Sequence, residues 1–311
     1  MRISLNSIFR LVAVVFLSLG VVSMRVAQAD EGRIIGLPTG ASLFVEMRGA
    51  GHPILMLHGG LGLDHRYFQP WLDPLQGSSE LVYPDLRGNG LSTAGADSDF
   101  TLDHMVDDLD ALRTALKIKQ WDVLGHSYGG FLAQAYALKY PDAVSHLVLV
   151  DTSPAPRLIP RPESPQLLAP GMTPQIAAAL KTMGAIGGAT RPEGGDAELK
   201  EAWHTVMPVY FHDFPTELLI ATDQTVFREH AFVLGTGLVA GFDTRAALPS
   251  IAVPTMVAVG KWDAILPVSH SEVLHKAIPG AELVVFDRSG HFPFIEERDR
   301  FLEVIRSFLG R

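Results

Sequence analysis

The chain of 311 residues contains no cysteine, which excludes disulfide bonds and attachment of a lipid to a cysteine thiol. It also lacks a G-x-x-x-x-G-K-[ST] phosphate-binding loop and a dinucleotide-binding fingerprint, and its 12 histidines form no metal-ligand motif. Positively charged residues are fewer than negatively charged ones: the chain has 25 Lys and Arg and 34 Asp and Glu, which gives a net charge of −9. These absences argue against nucleic acid as a partner and favour a globular enzyme that needs no cofactor or metal.

The first 29 residues have the layout of a secretory signal peptide. Arg2 and Arg10 precede an apolar run from Leu11 to Val22, and Ala27-Gln28-Ala29 offers the small residues of a cleavage site before Asp30. The run is shorter than the roughly 20 residues that a membrane-spanning helix needs. We therefore expect a secreted or periplasmic protein without stable membrane association after cleavage. An uncleaved membrane anchor is the alternative.

The most informative motif is Gly125-His126-Ser127-Tyr128-Gly129, which joins an apolar strand to a helix. Trp121 to Leu124 is a short apolar run, as in a buried parallel strand, and apolar residues recur at helical spacing from Phe131 to Leu138. Glycine at each end of the motif relieves crowding where a strand turns sharply into a helix. The motif has the spacing of a nucleophile elbow, so it predicts that Ser127 is a catalytic nucleophile.

A serine nucleophile needs a base to take its proton and an acid to orient that base. In folds with this elbow the acid and then the histidine follow the serine along the chain. Asp263 comes directly after a predicted strand, Pro254 to Gly260, and His291 follows the last predicted strand. Both residues are therefore expected at the same sheet edge as Ser127. We predict His291 as the base and Asp263 as the acid.

Two other aspartates could be taken for the acid. Asp151 ends the predicted strand Leu147 to Val150 and lies in an equivalent loop. Asp263 is preferred because its strand immediately precedes the loop that carries the histidine. Asp287 is close to His291 in the sequence but is interpreted as a turn residue.

Acyl transfer also requires two N–H donors that face the developing oxyanion. The backbone N–H of Tyr128 is the first predicted donor, because that residue follows the nucleophile. The second is the N–H of Gly60 in the His58-Gly59-Gly60 loop, with Gly59 as the alternative register. His58 is interpreted as a residue that braces this loop, and His126 as a packing residue.

The remaining pattern indicates a mostly parallel central sheet with helices on both faces. An alternating stretch from Ser42 to Arg48 predicts an antiparallel edge strand, and Thr101 is the expected N-cap of an amphipathic helix. Prolines become frequent after Ser153, and a helical insertion, the cap, is predicted over about residues 153–248, before the last strands. Three cap aromatics are predicted to bind substrate: Trp203, Phe211 and Phe214.

These motifs, together with Asp85-Leu86-Arg87-Gly88-Asn89-Gly90, resemble the α/β-hydrolase fold superfamily, serine-hydrolase branch, over residues 40–311. The resemblance implies that fold and a serine–aspartate–histidine triad. His58 to Gly62 and the segment Asp64 to Phe68 also look like the proline iminopeptidase subfamily, although Leu61 replaces that subfamily's proline. Arg87 is expected to be held by neighbouring carbonyl groups or by Asp85.

The sequence therefore predicts a serine hydrolase that cleaves a carboxylic ester of a small to medium substrate through an acyl-enzyme on Ser127. A short peptide-like substrate is the alternative, in an aminopeptidase that would need cap carboxylates such as Glu201, Glu217 or Glu229 beside the substrate amine. Carbon–carbon hydrolysis or cofactor-free haloperoxidation on the same triad is a third hypothesis, and a non-catalytic binding protein is a fourth. The oligomeric state is left open.

Overall fold

Eight strands form one sheet in the order β1-β2-β4-β3-β5-β6-β7-β8. The computed structural model describes residues 32–156, 173–186, 195–215 and 224–310, so the predicted signal peptide, residues 1–29, lies outside the described residues. The strands in chain order are β1 (Arg33–Gly36), β2 (Ser42–Gly49), β3 (His52–Leu57), β4 (Ser79–Pro84), β5 (Trp121–His126), β6 (Val144–Val150), β7 (Thr255–Gly260) and β8 (Glu282–Phe286).

Strands β3 to β8 run parallel to one another, whereas β1 and β2 are antiparallel to their neighbours. The antiparallel strand predicted from Ser42 is therefore present as β2, but the prediction that it forms the edge is wrong, because β1 covers it. Strand β1 is short and its residues are mostly exposed, so no hydrophobic alternation reveals this strand in the sequence.

The central parallel strands are buried on both faces, whereas the edge strand β8 is mostly half-buried. In β3, Leu55 and Leu57 belong to one hydrophobic core, and Ile54 and Met56 belong to a second core on the opposite face. Successive side chains of a strand point to opposite faces, so a continuous apolar run is the sequence pattern expected for a sheet that is covered twice.

Helices cover both faces of the sheet. In chain order they are α1 (Leu102–Ala115), α2 (Tyr128–Lys139), α3 (Pro174–Ile186), α4 (Gly195–Val206), α5 (Glu229–Gly241), α6 (Val268–Ala277), α7 (Pro293–Glu296) and α8 (Arg298–Leu309). Helix α1 starts as predicted, since the hydroxyl oxygen of Thr101 accepts a hydrogen bond from the N–H of His104 at 3.2 Å. Within the described residues, no helix is both long enough and apolar enough to cross a membrane.

Helices α3, α4 and α5 all lie between β6 and β7, which confirms the predicted helical insertion before the last strands. The exact limits of the cap, about residues 153–248, stay a prediction. Helix α5 carries three glycines with different surroundings. A Cβ atom added to Gly235 would lie 2.5 Å from Cδ2 of Leu61, whereas one added to Gly237 or Gly241 would meet no atom within 4 Å among the described residues outside the adjacent helix backbone.

Candidate active site

Ser127 lies in a strained turn between β5 and α2. Its φ of 53° and ψ of −117° fall in a region that L-residues rarely occupy, which costs about 1–3 kcal/mol. The backbone is held there by hydrogen bonds, since the Ser127 N–H donates to the carbonyl of Val150 at 2.9 Å. The Ser127 carbonyl accepts the N–H of Gly130 at 2.9 Å and the hydroxyl of Thr152 at 2.8 Å. The turn leaves Ser127 half-buried among buried neighbours.

Close backbone contacts explain the two glycines of the motif. A Cβ atom on Gly125 would lie 2.5 Å from the carbonyl oxygen of Gly129, and one on Gly129 would lie 2.1 Å from that of Leu57. No larger residue fits at either position without moving the backbone of the turn. The crowding inferred from the sequence is therefore present.

His291 and Asp263 meet at the same sheet edge. Nδ1 of His291 is 2.7 Å from Oδ2 of Asp263, and both residues are buried. Oδ1 of Asp263 accepts the N–H groups of Ile265 at 2.8 Å and Leu266 at 3.0 Å. Burial alone would raise the pKa of Asp263, but the neighbouring His291 and these N–H donors lower it below its ordinary value. The carboxylate is thus ionised and fixes the histidine ring through Nδ1.

Asp151 is also buried beside this pair. One oxygen of Asp151, one oxygen of Asp263 and one ring nitrogen of His291 lie within 4.8 Å of one another. Oδ1 of Asp151 accepts the N–H of Gly260 at 2.8 Å. Burial, followed by the negative charge of Asp263, raises the pKa of Asp151 well above its ordinary value. The structure therefore places the hydrogen bond to the histidine on Asp263, with the carboxyl group of Asp151 next to it.

Asp287, the other aspartate near the histidine, is exposed. Its carbonyl oxygen accepts the indole N–H of Trp262 at 2.9 Å, and its carboxylate lies 3.5 Å from Nζ of Lys261. These contacts belong to a turn, in line with the sequence interpretation.

The two residues predicted to supply the oxyanion donors lie at the same cavity as Ser127. Gly60 and Tyr128 both line it. Gly60 has a φ of +60°, and a Cβ atom there would lie 2.1 Å from Cδ1 of Leu63, so glycine is required. The N–H of Gly59 donates to the hydroxyl oxygen of Tyr67, which favours Gly60 over the alternative register.

Tyr67 and His126 form a network that the sequence did not predict. Nε2 of His126 lies 2.8 Å from the carbonyl oxygen of His291, and Nδ1 lies 2.8 Å from the hydroxyl of Tyr67. A carbonyl only accepts, so Nε2 carries the proton and the Tyr67 hydroxyl donates to Nδ1. Burial lowers the pKa of His126 well below its ordinary value, which keeps the ring neutral. His126 thus supports the backbone of the base from inside the elbow motif.

The loops around Arg87 are structural. The guanidinium of Arg87 donates two hydrogen bonds of 2.7 Å to the carboxylate of Asp108. Of the two partners expected for Arg87, Asp85 is engaged elsewhere, because its Oδ1 accepts a hydrogen bond from Nδ1 of His65 at 2.6 Å. The expected carbonyl contacts are present, with Ala94 and Thr39.

His58 has the bracing role that the sequence suggested. Its Nε2 accepts the N–H of Leu86 at 3.0 Å, and Nδ1 is 2.9 Å from the carbonyl oxygen of Gly59. Burial lowers the pKa of His58 to about 4, so the ring is neutral at neutral pH. The histidine ties the loop that carries Gly60 to the loop that follows β4.

Glu296, the last residue of α7, joins the cap to the loop of the histidine. Its Oε1 accepts the N–H groups of His212 and Asp213, each at 2.8 Å, and its Oε2 accepts that of Gly290 at 2.6 Å. Burial raises the pKa of Glu296 to about 7, against the lowering effect of these donors. A second link is the N–H of His291, which donates to the cap carbonyl of Tyr210 at 2.6 Å.

A cavity of about 170 Å³ contains Ser127 and His291 in its wall. Trp203, one of the three predicted substrate-binding aromatics, lines it. Phe211 and Phe214 are not part of this wall. Phe211 stacks on Phe292 with ring centroids 4.9 Å apart, and Phe214 packs against Phe211. Within the described residues, no aspartate or glutamate lines the cavity.

Comparison with known proteins places this geometry in a family. A model of the alpha/beta hydrolase fold matches residues 52–182. A proline iminopeptidase from Saccharolobus solfataricus is 30% identical over 297 residues, which is 91% of this chain and 93% of the relative. The chain belongs to the α/β hydrolase fold family.

Other similar members of the family act on different substrates. A 2-hydroxymuconate semialdehyde hydrolase from a Pseudomonas species is 28% identical over 265 residues, 84% of this chain and 88% of the relative. The solved structure of an esterase from Exiguobacterium antarcticum superposes with a TM-score of 0.73 and 25% identity, covering 90% of this hydrolase and 100% of the esterase. The comparisons therefore support a hydrolase, and these three names do not agree on one substrate.

Proposed function

We propose that the protein is a serine esterase that cleaves small to medium carboxylic esters with an apolar acyl group. The observation that carries this proposal is the cavity, which brings Ser127 and His291 to an apolar wall without a carboxylate among the described residues. Five of the apolar side chains in that wall come from four separate parts of the chain: Leu61, Phe131, Val239, Ile265 and Leu266. Such a wall favours an uncharged acyl chain by removing apolar surface from water.

In the proposed reaction, the hydroxyl oxygen of Ser127 attacks the carbonyl carbon of the ester. Nδ1–H of His291 donates to Asp263, which leaves Nε2 as the base that takes the proton from Ser127. Nε2 then returns this proton to the departing alcohol. A water molecule, activated by the same nitrogen, releases the acyl group as a carboxylic acid.

The tetrahedral intermediate carries a negative oxygen that needs hydrogen-bond donors. We assign this role to the backbone N–H groups of Gly60 and Tyr128. Tyr128 is the first residue of α2, where N–H groups have no acceptor within the helix and the helix dipole is positive. Donors fixed in this way need no reorganisation during the reaction, and loss of one such donor typically costs about 10²–10³-fold in kcat.

Proline iminopeptidase activity is the second candidate, and the similarity to the Saccharolobus solfataricus relative favours it. A peptidase of this kind must hold a protonated amine, and burying that cation requires nearby carboxylates. Among the cap acids, Glu201 is exposed, Glu229 is buried but does not line the cavity, and Glu217 lies outside the described residues. The absence of a carboxylate from the cavity wall, among the residues that the structure describes, therefore favours the ester.

Substrate profiling separates the two candidates. We expect p-nitrophenyl esters of short acyl chains to be hydrolysed faster than prolyl or alanyl anilides, by at least about tenfold in kcat/KM, or about 1.4 kcal/mol. Because activated esters are intrinsically easier to cleave, the same anilides are also tested after N-acetylation, which removes the positive charge. Strong anilide cleavage that acetylation abolishes would establish the peptidase instead.

A further inference from the structure

Two buried carboxyl groups face one histidine in this site, and the triad uses only one of them. Asp151 follows β6, Asp263 follows β7, and one oxygen of each lies within 4.8 Å of the other and of a ring nitrogen of His291. Both aspartates are almost completely buried. Two adjacent carboxylates in such a place repel each other, so one of them must keep its proton.

The hydrogen bonds decide which carboxyl keeps the proton. Asp263 acts as acceptor at both oxygens, because Oδ1 receives two backbone N–H groups and Oδ2 faces Nδ1 of His291. Asp151 receives a single N–H, from Gly260, on Oδ1. Its Oδ2 is buried and has no hydrogen-bond partner among the described residues when both aspartates are counted as acceptors. A proton on this oxygen supplies the missing donor.

We infer that Asp151 is a positioning residue whose carboxyl group donates a hydrogen bond from Oδ2 to Asp263. This inference rests on the proposed role of Asp263 as the acid of the triad. The backbone of Asp151 is fixed for the task, with a φ of +44° and an N–H that donates to the carbonyl of Ala258 at 2.9 Å. Among the residues that the structure describes, the titratable groups near Asp151 or acting on its charge are Asp263, His291 and Glu296.

The donated hydrogen bond has a chemical consequence for the base. The hydrogen bond stabilises the negative charge of Asp263, and this limits how strongly that carboxylate stabilises a protonated His291. Without it, His291 would hold its proton more tightly and would be the active neutral base only at higher pH. Asp151 would therefore adjust the pH at which the enzyme becomes active, without touching the substrate.

Two substitutions at position 151 test this inference. Asp151→Asn keeps both hydrogen bonds, because the amide oxygen can accept from Gly260 and the amide N–H can donate to Asp263. It should retain kcat/KM within about threefold, less than the worth of one hydrogen bond. Asp151→Ala removes the donor that helps to hold Asp263 in place against His291, and this loss of positioning should lower kcat about tenfold or more, with little change in KM. Its acidic limb of kcat/KM should move to higher pH by at least about half a unit, whereas that of Asp151→Asn should not move.

Asp122 provides a matched control, because it is a buried aspartate of the same sheet that pairs with His146 at 2.8 Å, away from the cavity. Asp122→Ala should leave the acidic limb unchanged. If the acidic limb of Asp151→Ala also stays unchanged, as in Asp122→Ala, the positioning role of Asp151 is overturned. An Asp151→Asn enzyme that is as slow as Asp151→Ala, and slower than Asp263→Asn, would show instead that Asp151 is the ionised acid.

Infrared spectroscopy gives a readout that does not depend on activity or on the behaviour of the alanine variant. At neutral pH, the wild type minus Asp151→Asn difference spectrum should contain the C=O stretch of a protonated carboxyl group. Signal from Glu296 cancels because both proteins contain it. Absence of the band overturns the inference while leaving the proposed esterase untouched, whereas an active Ser127→Ala enzyme would remove the proposed function and leave the band in place.

Discussion

The backbone and the hydroxyl of Ser127 have separate roles, so the hydroxyl can be removed by mutation without disturbing the turn. The strained turn is held by the backbone N–H and carbonyl, and none of those hydrogen bonds uses the hydroxyl. Ser127→Ala should therefore fold like the wild type while kcat falls by roughly 10⁴-fold or more, because the nucleophile acts as a unit with its base. Steady-state kinetics on an activated ester and circular dichroism measure the two properties.

Ser153 is a suitable control for that experiment, since its hydroxyl lies 2.7 Å from Nδ1 of the buried His270, away from the cavity. Ser153→Ala should keep its reactivity toward a fluorophosphonate, and Ser127→Ala should lose it. A Ser127→Ala enzyme with a tenth of the wild-type activity would rule out the covalent mechanism.

At the residue scale, the sequence could locate Ser127, Asp263 and His291 because each follows a recognisable apolar strand. Parallel strands bring their carboxyl ends to one edge of the sheet, so the positions of these residues after successive strands were enough to predict that they lie near one another. It could not reveal the hydrogen bonds of Tyr67 and His126, because these depend on packing between segments far apart in the chain. The sequence could not show which cap aromatics line the cavity either, so Phe211 and Phe214 were predicted there although they are not part of its wall.

At the scale of elements, Glu296 and Glu297 both accept hydrogen bonds from the loop that carries His291, but their pKa values are shifted in opposite directions. Burial raises the pKa of Glu296 to about 7. Glu297 has a lowered pKa, because the donors Arg288 N–H, Ser289 hydroxyl and Arg300 outweigh the effect of its burial. Between pH 4.5 and 7, unfolded Glu296 is ionised while the folded form keeps its proton, so this residue makes the wild type less stable as pH rises.

Glu296→Gln removes this titration. The variant should therefore become more stable relative to the wild type as the pH increases from about 4.5 to about 7, seen as a rise in its free energy of unfolding minus that of the wild type. Glu297→Gln should show no such increase, since its titration lies below its ordinary pKa of 4.5. Urea unfolding at several pH values measures both differences. Equal pH dependence of the two variants would contradict the assignment.

The elements themselves were predictable where their pattern is strong. The amphipathic face of α1 and its Thr101 cap, and the apolar runs of β3 to β8, follow directly from local sequence. Strand β1 could not be predicted, because it is stabilised by pairing with β2 and not by a buried face of its own. Tertiary pairing of this kind leaves little trace in hydrophobic periodicity.

At the scale of the whole molecule, we propose export across a membrane. Cleavage after Ala29 would remove three arginines and no acid, so the net charge would change from −9 to −12. The mature protein, expressed in a bacterium with a cell envelope, should begin at Asp30, because Ala27 and Ala29 suit the cleavage pocket. N-terminal sequencing tests this directly. A membrane-bound product that retains residues 2–29 would favour an uncleaved anchor.

The glycines of α5 have a consequence for heat tolerance. Glycine inside a helix costs about 1 kcal/mol relative to alanine, and Gly237 has open space where a methyl group would go. Gly237→Ala should therefore raise the free energy of unfolding by up to about 1 kcal/mol, measured by thermal or urea denaturation. Gly235→Ala should raise it less, because its methyl group would displace the end of the Leu61 side chain. A thermostable form of the enzyme can thus be sought on the outer side of this helix, away from the cavity.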